Sequence, residues 1–303
     1  MKMKKLVALV LVAIMSLCLF GCGGAEIEGE GEAEGNGGNG SIGLAVSTLN
    51  NPFFVTLSEG AEKAAEEAGV ELIVVDAGDD AAKQTSDIED LISKDISVLI
   101  VNPVDSDAVA PAVESAISAG IKVISVDRVV NGVEVDCAIA SDNVAGAAMA
   151  TEYLVELVGE GAEVVELEGV PGASATIDRG EGFHSIADEK LTVKASQTAN
   201  FNRAEGMTVM ENLLQANAGV KGVFAHNDEM ALGALEAIGD KDIVIIGFDA
   251  TDDALAAVEA GTMAATVAQQ PDLMGATAVE TAIKLINGET VEKVLPVEVT
   301  LVK

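Results

Sequence analysis

Arginine is scarce in this chain, and its placement is selective. Only Arg128, Arg179 and Arg203 occur in 303 residues, and two of them fall in VDR and DRGEGF, segments that read as loops. A guanidinium is a planar fork that only donates, and it matches two acceptors held side by side. The acceptors to match are present: Asp127 and Asp249 stand at the ends of apolar runs, as do the amides Asn51, Asn102, Asn227 and Gln269 and the hydroxyl of Ser47. Aromatic residues are equally sparse, with seven phenylalanines, one tyrosine and no tryptophan. Four of the phenylalanines, Phe53, Phe54, Phe201 and Phe248, sit at junctions between an apolar run and an Ala-rich one. Carboxylates accept from neighbouring hydroxyls, amides both donate and accept, and flat rings cover C–H faces at low entropic cost. That mixture suits a sugar: neutral, rich in hydroxyls, with apolar C–H faces.

To converge, these residues need a scaffold that gathers them. From Ser41 onward, short β-branched runs (IGLAVS, VELIVVD, VLIVN, KVISVD) alternate with helical stretches reaching about Ala68, from Ala81 to Ser93 and from Ser106 to Ala119. After CAIASD the alternation resumes with a helix from Asn143, then EVVELE, LTVKASQ, GVFAHND, IVIIGFD and AATVAQ. Near-continuous apolar strands separated by helices imply parallel sheets covered on both faces, with right-handed crossovers. Two such sets meet near Ser141, and LPVEVTLV reads as a returning edge strand. In such sheets the ligand crevice lies beyond the carboxyl ends of the strands, where the candidate residues fall. Helix capping explains some of the same positions, and Asp76, Asp142, Asp228 and Asp252 read as caps or turn residues. Asn51-Pro52 is also helix-start chemistry. Side chains of adjacent helical residues diverge by about 100°, so Phe53 and Phe54 cannot point the same way.

The N-terminus reads as address rather than fold. MKMKK is a basic start, Leu6 to Phe20 is apolar but short for a membrane span, and LFGC places small Gly21 before Cys22. The spacing resembles a lipobox, so residues 1–22 are expected to be a lipoprotein signal peptide with Cys22 as the lipidated residue. Residues 23–40 alternate Glu and Gly, an acidic tether whose Gly35, Gly37 and Gly40 match G-x-G-x-x-G with no strand ahead of them. Of the three cysteines, Cys18 would leave with the signal and Cys22 would carry lipid; Cys137 alone gives no disulfide. The formal charge is −33 and becomes more negative without Lys2, Lys4 and Lys5. Nucleic acid is a poor partner for such a surface. Self-repulsion at this acidity is relieved by salt, which points to a saline environment.

Other functions lack their residues. GASAT at Gly172 is missing the second glycine of a nucleophile elbow, and His184 and His226 have no Ser or Cys motif beside them. No Cys/His spacing suggests zinc, and DATDD lacks the glycine of a calcium loop. A regulator would need a basic helix-turn-helix before the first strand. The expectation is a binding protein without catalysis, cofactor or metal.

The segments STLNNPFF, NPVDSDAV, VDR, IASDN, DRGEGF, NDEMALGAL, GFDAT and ATVAQQPD, in this order from about Ser41 to Lys303, resemble the periplasmic-binding-protein family and its D-ribose-binding branch. The resemblance implies an α/β fold of two Rossmann-like lobes with parallel sheets joined by a three-strand hinge. The N-terminal lobe would comprise 41–141 and 270–297, and the C-terminal lobe 142–269 and 298–303. It further implies that Phe53 and Phe54 cover one face of a sugar ring and Phe201 the other. Ser47, Asn51, Asn102, Asp127, Arg128, Arg179, Asn227, Asp249 and Gln269 would bond its hydroxyls and ring oxygen, and Phe248 would line the wall. A monomeric, lipid-anchored extracytoplasmic receptor would then hand D-ribose or a related monosaccharide to the membrane subunits of an ABC-type importer, with a chemotaxis receptor as a further partner. Allose and furanose signals remain alternatives to ribose. Two departures from the family pattern are Ile177, where a basic residue is usual, and His226, where an amide is.

Overall fold

A computed structural model describes residues 40–303; the expected signal peptide, Cys22 as the expected lipidated residue and nearly all of the expected tether lie outside the described residues. Chain order within them is β1 (Ile42–Val46), α1 (Pro52–Ala68), β2 (Leu72–Asp76), α2 (Ala81–Ser93), β3 (Val98–Val101), α3 (Ala110–Ser118), β4 (Lys122–Val126) and β5 (Cys137–Ser141). It continues through α4 (Asn143–Val158), β6 (Glu163–Glu168), α5 (Ser174–Lys190), β7 (Thr192–Thr198), α6 (Arg203–Ala216), β8 (Gly222–Ala225), α7 (Asp228–Ile238) and β9 (Val244–Asp249). The last elements are α8 (Asp252–Glu259), β10 (Ala265–Ala268), α9 (Pro271–Ile286), β11 (Val294–Val297) and β12 (Thr300–Val302).

The strands form two six-stranded sheets, β11-β5-β4-β3-β1-β2 and β12-β10-β9-β8-β6-β7. Every pairing is parallel except β10 with β12. The central strands β1, β3 and β8 are buried along their whole length, as continuous apolar runs require when helices cover both faces. One face of the first sheet packs under α1 and α9 and the other under α2 and α3. The second sheet packs under α4 and α5 on one side and α6, α7 and α8 on the other. This is the two-lobed α/β architecture with parallel sheets that the alternation implied.

Three segments pass between the sheets: Asp142 after β5, Gln269-Gln270 after β10, and Glu298-Val299 between β11 and β12. The C-terminal run is therefore not one returning strand. It splits into β11, parallel to β5 in the first sheet, and β12, antiparallel to β10 in the second.

Two further expectations change. The third helix starts at Ala110 rather than Ser106, because residues before it are held otherwise. Asp105 accepts from the Asp107 and Ala108 N–H groups, and the Ser106 N–H donates to the Gly172 carbonyl at 3.0 Å, across to the second lobe. DRGEGF is not a loop but part of helix α5. Its two glycines hid the helix; Gly182 is needed there because a Cβ would stand 2.3 Å from the Val144 carbonyl oxygen of α4.

Candidate functional site

Ten of the thirteen candidate ligand residues line one narrow cavity between the lobes: Asn51, Phe53, Phe54, Asp127, Arg128, Arg179, Phe201, Asn227, Asp249 and Gln269. Each arrives from a strand end or the start of a helix.

In the first lobe, Asn51 caps α1, its Oδ1 accepting from the Phe53 N–H at 3.0 Å, which leaves its Nδ2 to offer the cavity. Phe53 and Phe54 do diverge, with ring planes at 89° and centroids 5.1 Å apart, yet both line the cavity. The helix points end-on at it, so the two rings straddle the opening. Phe53 borders a groove of about 350 Å³ on one flank and Phe54 one of about 260 Å³ on the other. Asp127 follows β4 with φ 63°, a conformation costly for a residue with a Cβ. Asn102 clamps it: its Nδ2 donates to Asp127 Oδ2 at 3.1 Å and to the Val126 carbonyl, while its Oδ1 accepts from the Ser47 N–H. Arg128 donates from Nη1 to the Pro103 carbonyl at 2.8 Å, and its guanidinium lies between Phe54 and Phe201, 5.1 and 5.4 Å from their centroids.

In the second lobe, Arg179 is 3% exposed and the most heavily tied residue of the site. Its Nε donates to Asn143 Oδ1 at 2.8 Å, Nη1 donates to the His226 carbonyl, and Asp249 Oδ1 is 3.6 Å away. Its guanidinium lies 3.9 Å from the centroid of Phe248. Gln269, on a segment between the lobes, donates to Asp249 Oδ1 at 2.8 Å. Asn227 caps α7 and also donates to the Phe201 carbonyl. Phe201, with φ 56°, lays its ring on Gly169, where any Cβ would come within 2.0 Å of the ring. Backbone strain thus gathers at this cavity, with Asp127, Phe201 and Asp249 all at positive φ.

Two polar atoms of the lining are buried without a hydrogen-bond partner: Arg128 Nε, a donor from one lobe, and Gln269 Oε1, an acceptor from between them. Buried groups of this kind are rare and costly, so they mark where a ligand's hydroxyls belong. Burial pushes the Asp127 and Asp249 carboxyls up, against the pull of Arg128 on the first and Arg179 on the second. Burial likewise pushes both guanidiniums down, opposed by the same carboxylates. Two cations and two anions leave the cavity without net charge.

Ser47, Asn102 and Phe248 do not reach the cavity. Ser47 is wholly buried under it; the Asn102 side chain is occupied by protein partners; Phe248 belongs to β9 and is the floor beneath Arg179. Each lies behind a lining residue, and the Ser47 hydroxyl is buried without a hydrogen-bond partner. Ala175, at the start of α5, does line the cavity and carries no chemistry that a motif could reveal. Asn143, one position past the strand-end pair Ser141-Asp142, holds Arg179 and was hidden by that offset. Asp142 caps α4 and Asp76 closes a turn, as their positions suggested. Asp228 does not act as a cap: its carboxylate accepts from the Thr266 hydroxyl and from the Thr251 N–H and hydroxyl, bracing the loop after Asp249. Thr251, not Asp252, occupies the N-cap position of α8, without a side-chain cap bond, and Asp252 is the first helical residue.

Residues 42–290 match the model of the periplasmic binding protein domain. The chain belongs to the periplasmic-binding-protein family. It is 54% identical over 257 residues to the ribose import binding protein of Bacillus subtilis (strain 168), covering 84% of each chain. Against the ribose import binding protein of Escherichia coli (strain K12) it is 49% identical, covering 86% of this chain and 90% of the relative. Among solved structures, a myo-inositol-bound ABC transporter solute-binding protein from Bacillus halodurans C-125 superposes with a TM-score of 0.83 at 33% identity, covering 88% and 96% of the two chains. A D-allose-bound periplasmic solute-binding protein from Actinobacillus succinogenes 130z gives 0.81 at 31% identity, covering 87% and 97%. Membership places this periplasmic-binding-protein chain outside the cytoplasm and among sugar-binding transport subunits.

Proposed function

We propose that the cavity binds D-ribose and that the chain delivers it to an ABC-type importer. The observation that carries this reading is the composition of the lining: a formally charge-balanced set of two guanidiniums and two carboxylates, flanked by phenylalanine rings from both lobes, with Arg128 Nε and Gln269 Oε1 buried and unpaired. An anionic ligand would meet Asp127 and Asp249, and a cation would meet Arg128 and Arg179; a neutral polyol satisfies both pairs. The ribose-importing relatives favour a pentose over the inositol and allose of the solved neighbours.

The lobes are read as 41–141 with 270–297 and 142–269 with 298–303. Sugar contacts on both of them make the closed arrangement the one that binds, so ligand shifts the population toward closure. Direct contacts between lobes accompany it: Ser106 N–H to the Gly172 carbonyl, Ser174 N–H to Ser106 Oγ at 3.2 Å, and Val129 N–H to Ser174 Oγ at 3.0 Å. Anchoring through a lipid on Cys22 would keep the receptor at the membrane that holds the importer. Calorimetry with ribose, allose, arabinose and myo-inositol tests the assignment: ribose is expected to bind at least about tenfold more tightly than the others, a gap of roughly 1.4 kcal/mol. Equal or tighter binding of a hexose would overturn it.

A further inference from the structure

One buried polar cluster is not used by the sugar site and yet touches it. Glu166 stands in the middle of β6 with its side chain wholly buried, and two histidines share its carboxylate. His226 Nε2 is 2.8 Å from Oε1, and His184 Nε2 is 3.2 Å from Oε2. His184, 40% exposed, reaches Asp188 Oδ1 through its other nitrogen at 2.8 Å. Solvent is thus connected to the interior by a line of four titratable groups, Asp188, His184, Glu166 and His226.

The inner end of that line, while neutral, is held in one tautomer by its surroundings. The Gly169 N–H points at His226 Nδ1 at 3.4 Å, so Nδ1 must be the acceptor and the proton must sit on Nε2, facing Glu166. Gly169 is the residue on which the Phe201 ring lies, and the His226 carbonyl receives Arg179 Nη1. A second proton on the ring would turn Nδ1 into a donor against the Gly169 N–H and add a cation beside Arg179.

We propose that His226 is a positioning residue for the sugar cavity, holding Arg179 and the Phe201 platform only while its ring is neutral, and that Glu166 and His184 connect it to solvent protons, so that affinity falls as the medium is acidified. The inference rests on the reading that the cavity takes a sugar. The charged and titratable groups around His226 are Glu166 and Glu168 on β6 and Arg179 on α5, with His184 and Asp188 of α5 behind Glu166 and Asp249 beyond Arg179. Their effects set the sign. Burial holds His226 below the ordinary histidine value, with Arg179 adding to it and Glu166 opposing. Burial also disfavours the charged form of His184, but Asp188 and Glu166 outweigh it and raise the group. Acidification therefore charges His184 first, which leaves a His184–Glu166 ion pair and an intact His226. His226 follows below the ordinary value of about 6.5, and only then does binding weaken.

The chain contains only these two histidines, so its imidazole nitrogen NMR spectrum has two sets of signals to follow. The test is that titration on the full chain with and without ribose, beside ribose calorimetry from about pH 7.5 to about pH 4.5. Expected are one neutral Nε2–H ring at neutral pH, a titration of that ring displaced to lower pH by ribose, and a Kd that rises by up to about tenfold per pH unit below the histidine range. His226→Gln removes the rise in that range, while any fall from protonating Asp127 and Asp249 stays. His184→Gln moves the rise to higher pH, because Glu166 is then shared with His226 alone. Ribose bound with the same affinity throughout the range, or a His226 titration unmoved by ribose, overturns the coupling while leaving the sugar assignment standing. No ribose binding at any pH overturns the sugar assignment and the coupling with it.

Discussion

The two lobes each bring one arginine to the cavity, and they hold it by different means. Arg128 follows a strand on a strained backbone turn; a hydrogen bond to the Pro103 carbonyl, the Asp127 carboxylate 3.6 Å away and the two rings beside it keep it in place. Around it the first lobe is aliphatic, and its described phenylalanines, Phe53 and Phe54, are both at the cavity. Arg179 rises from a helix and is gripped by Asn143, the His226 carbonyl and Asp249 over the face of Phe248. Behind it the second lobe carries a stacked Phe183–Phe224 pair and the buried Glu166–His226 pair. Strained backbone serves both halves, at Asp127 in the first and at Phe201 and Asp249 in the second, but the polar network that grips the arginine is larger in the second. A network leaves more buried partners stranded when one member is lost, so the lobes should respond unequally to equivalent changes.

The widest split is expected between the arginines. Arg179→Ala strands the Asn143 amide oxygen, the His226 carbonyl and the Asp249 carboxylate together; ribose binding should weaken by at least about a thousandfold and fall below calorimetric detection. Arg128→Ala strands one carbonyl and Asp127, and a loss of about a hundredfold is expected. Equal losses would erase the contrast between the lobes. Asn102→Ala tests the first-lobe half, because it frees the Ser47 N–H and the Val126 carbonyl and unclamps Asp127. Chemical denaturation should show about 2 kcal/mol less stability, with ribose affinity reduced as well. Unchanged affinity would mean that Asp127 keeps its strained φ without help.

Smaller effects should come from the contacts between lobes. Ser174→Ala removes the acceptor for the Val129 N–H in the closed form only, so ribose should dissociate roughly three- to tenfold faster with little change in melting temperature. A slower association instead would place that contact in the encounter rather than in the closed state. Least of all, though across the whole surface, salt should raise the melting temperature of a chain with a net charge of −33. Thermal scans at low and molar sodium chloride that superimpose would remove the saline reading.

Strand ends were legible in the sequence because an apolar run that stops at Asp, Asn or Gln announces both a sheet edge and a polar group beyond it. Asp127, Asn227, Asp249 and Gln269 were found in that way. Residues whose importance comes from what they lie against were harder to see. Gly169 is required by the Phe201 ring, and nothing local distinguishes it from an ordinary loop residue; Phe248 stood out by its junction position, but its place beneath the Arg179 guanidinium did not. His226 read only as a departure from the family pattern, because its partner Glu166 lies sixty positions away.

Alone, the sequence determined the alternation of strand and helix, the division into two sets, and the chemical types gathered at the strand ends, since each follows from local periodicity and from how scarce a residue type is. Tertiary structure alone decided which of those side chains face the cavity and which brace it from behind. Strand register, the strained turns at Asp127 and Asp249, and the meeting of the two lobes are set by contacts between distant segments, and no stretch of sequence carries such contacts by itself.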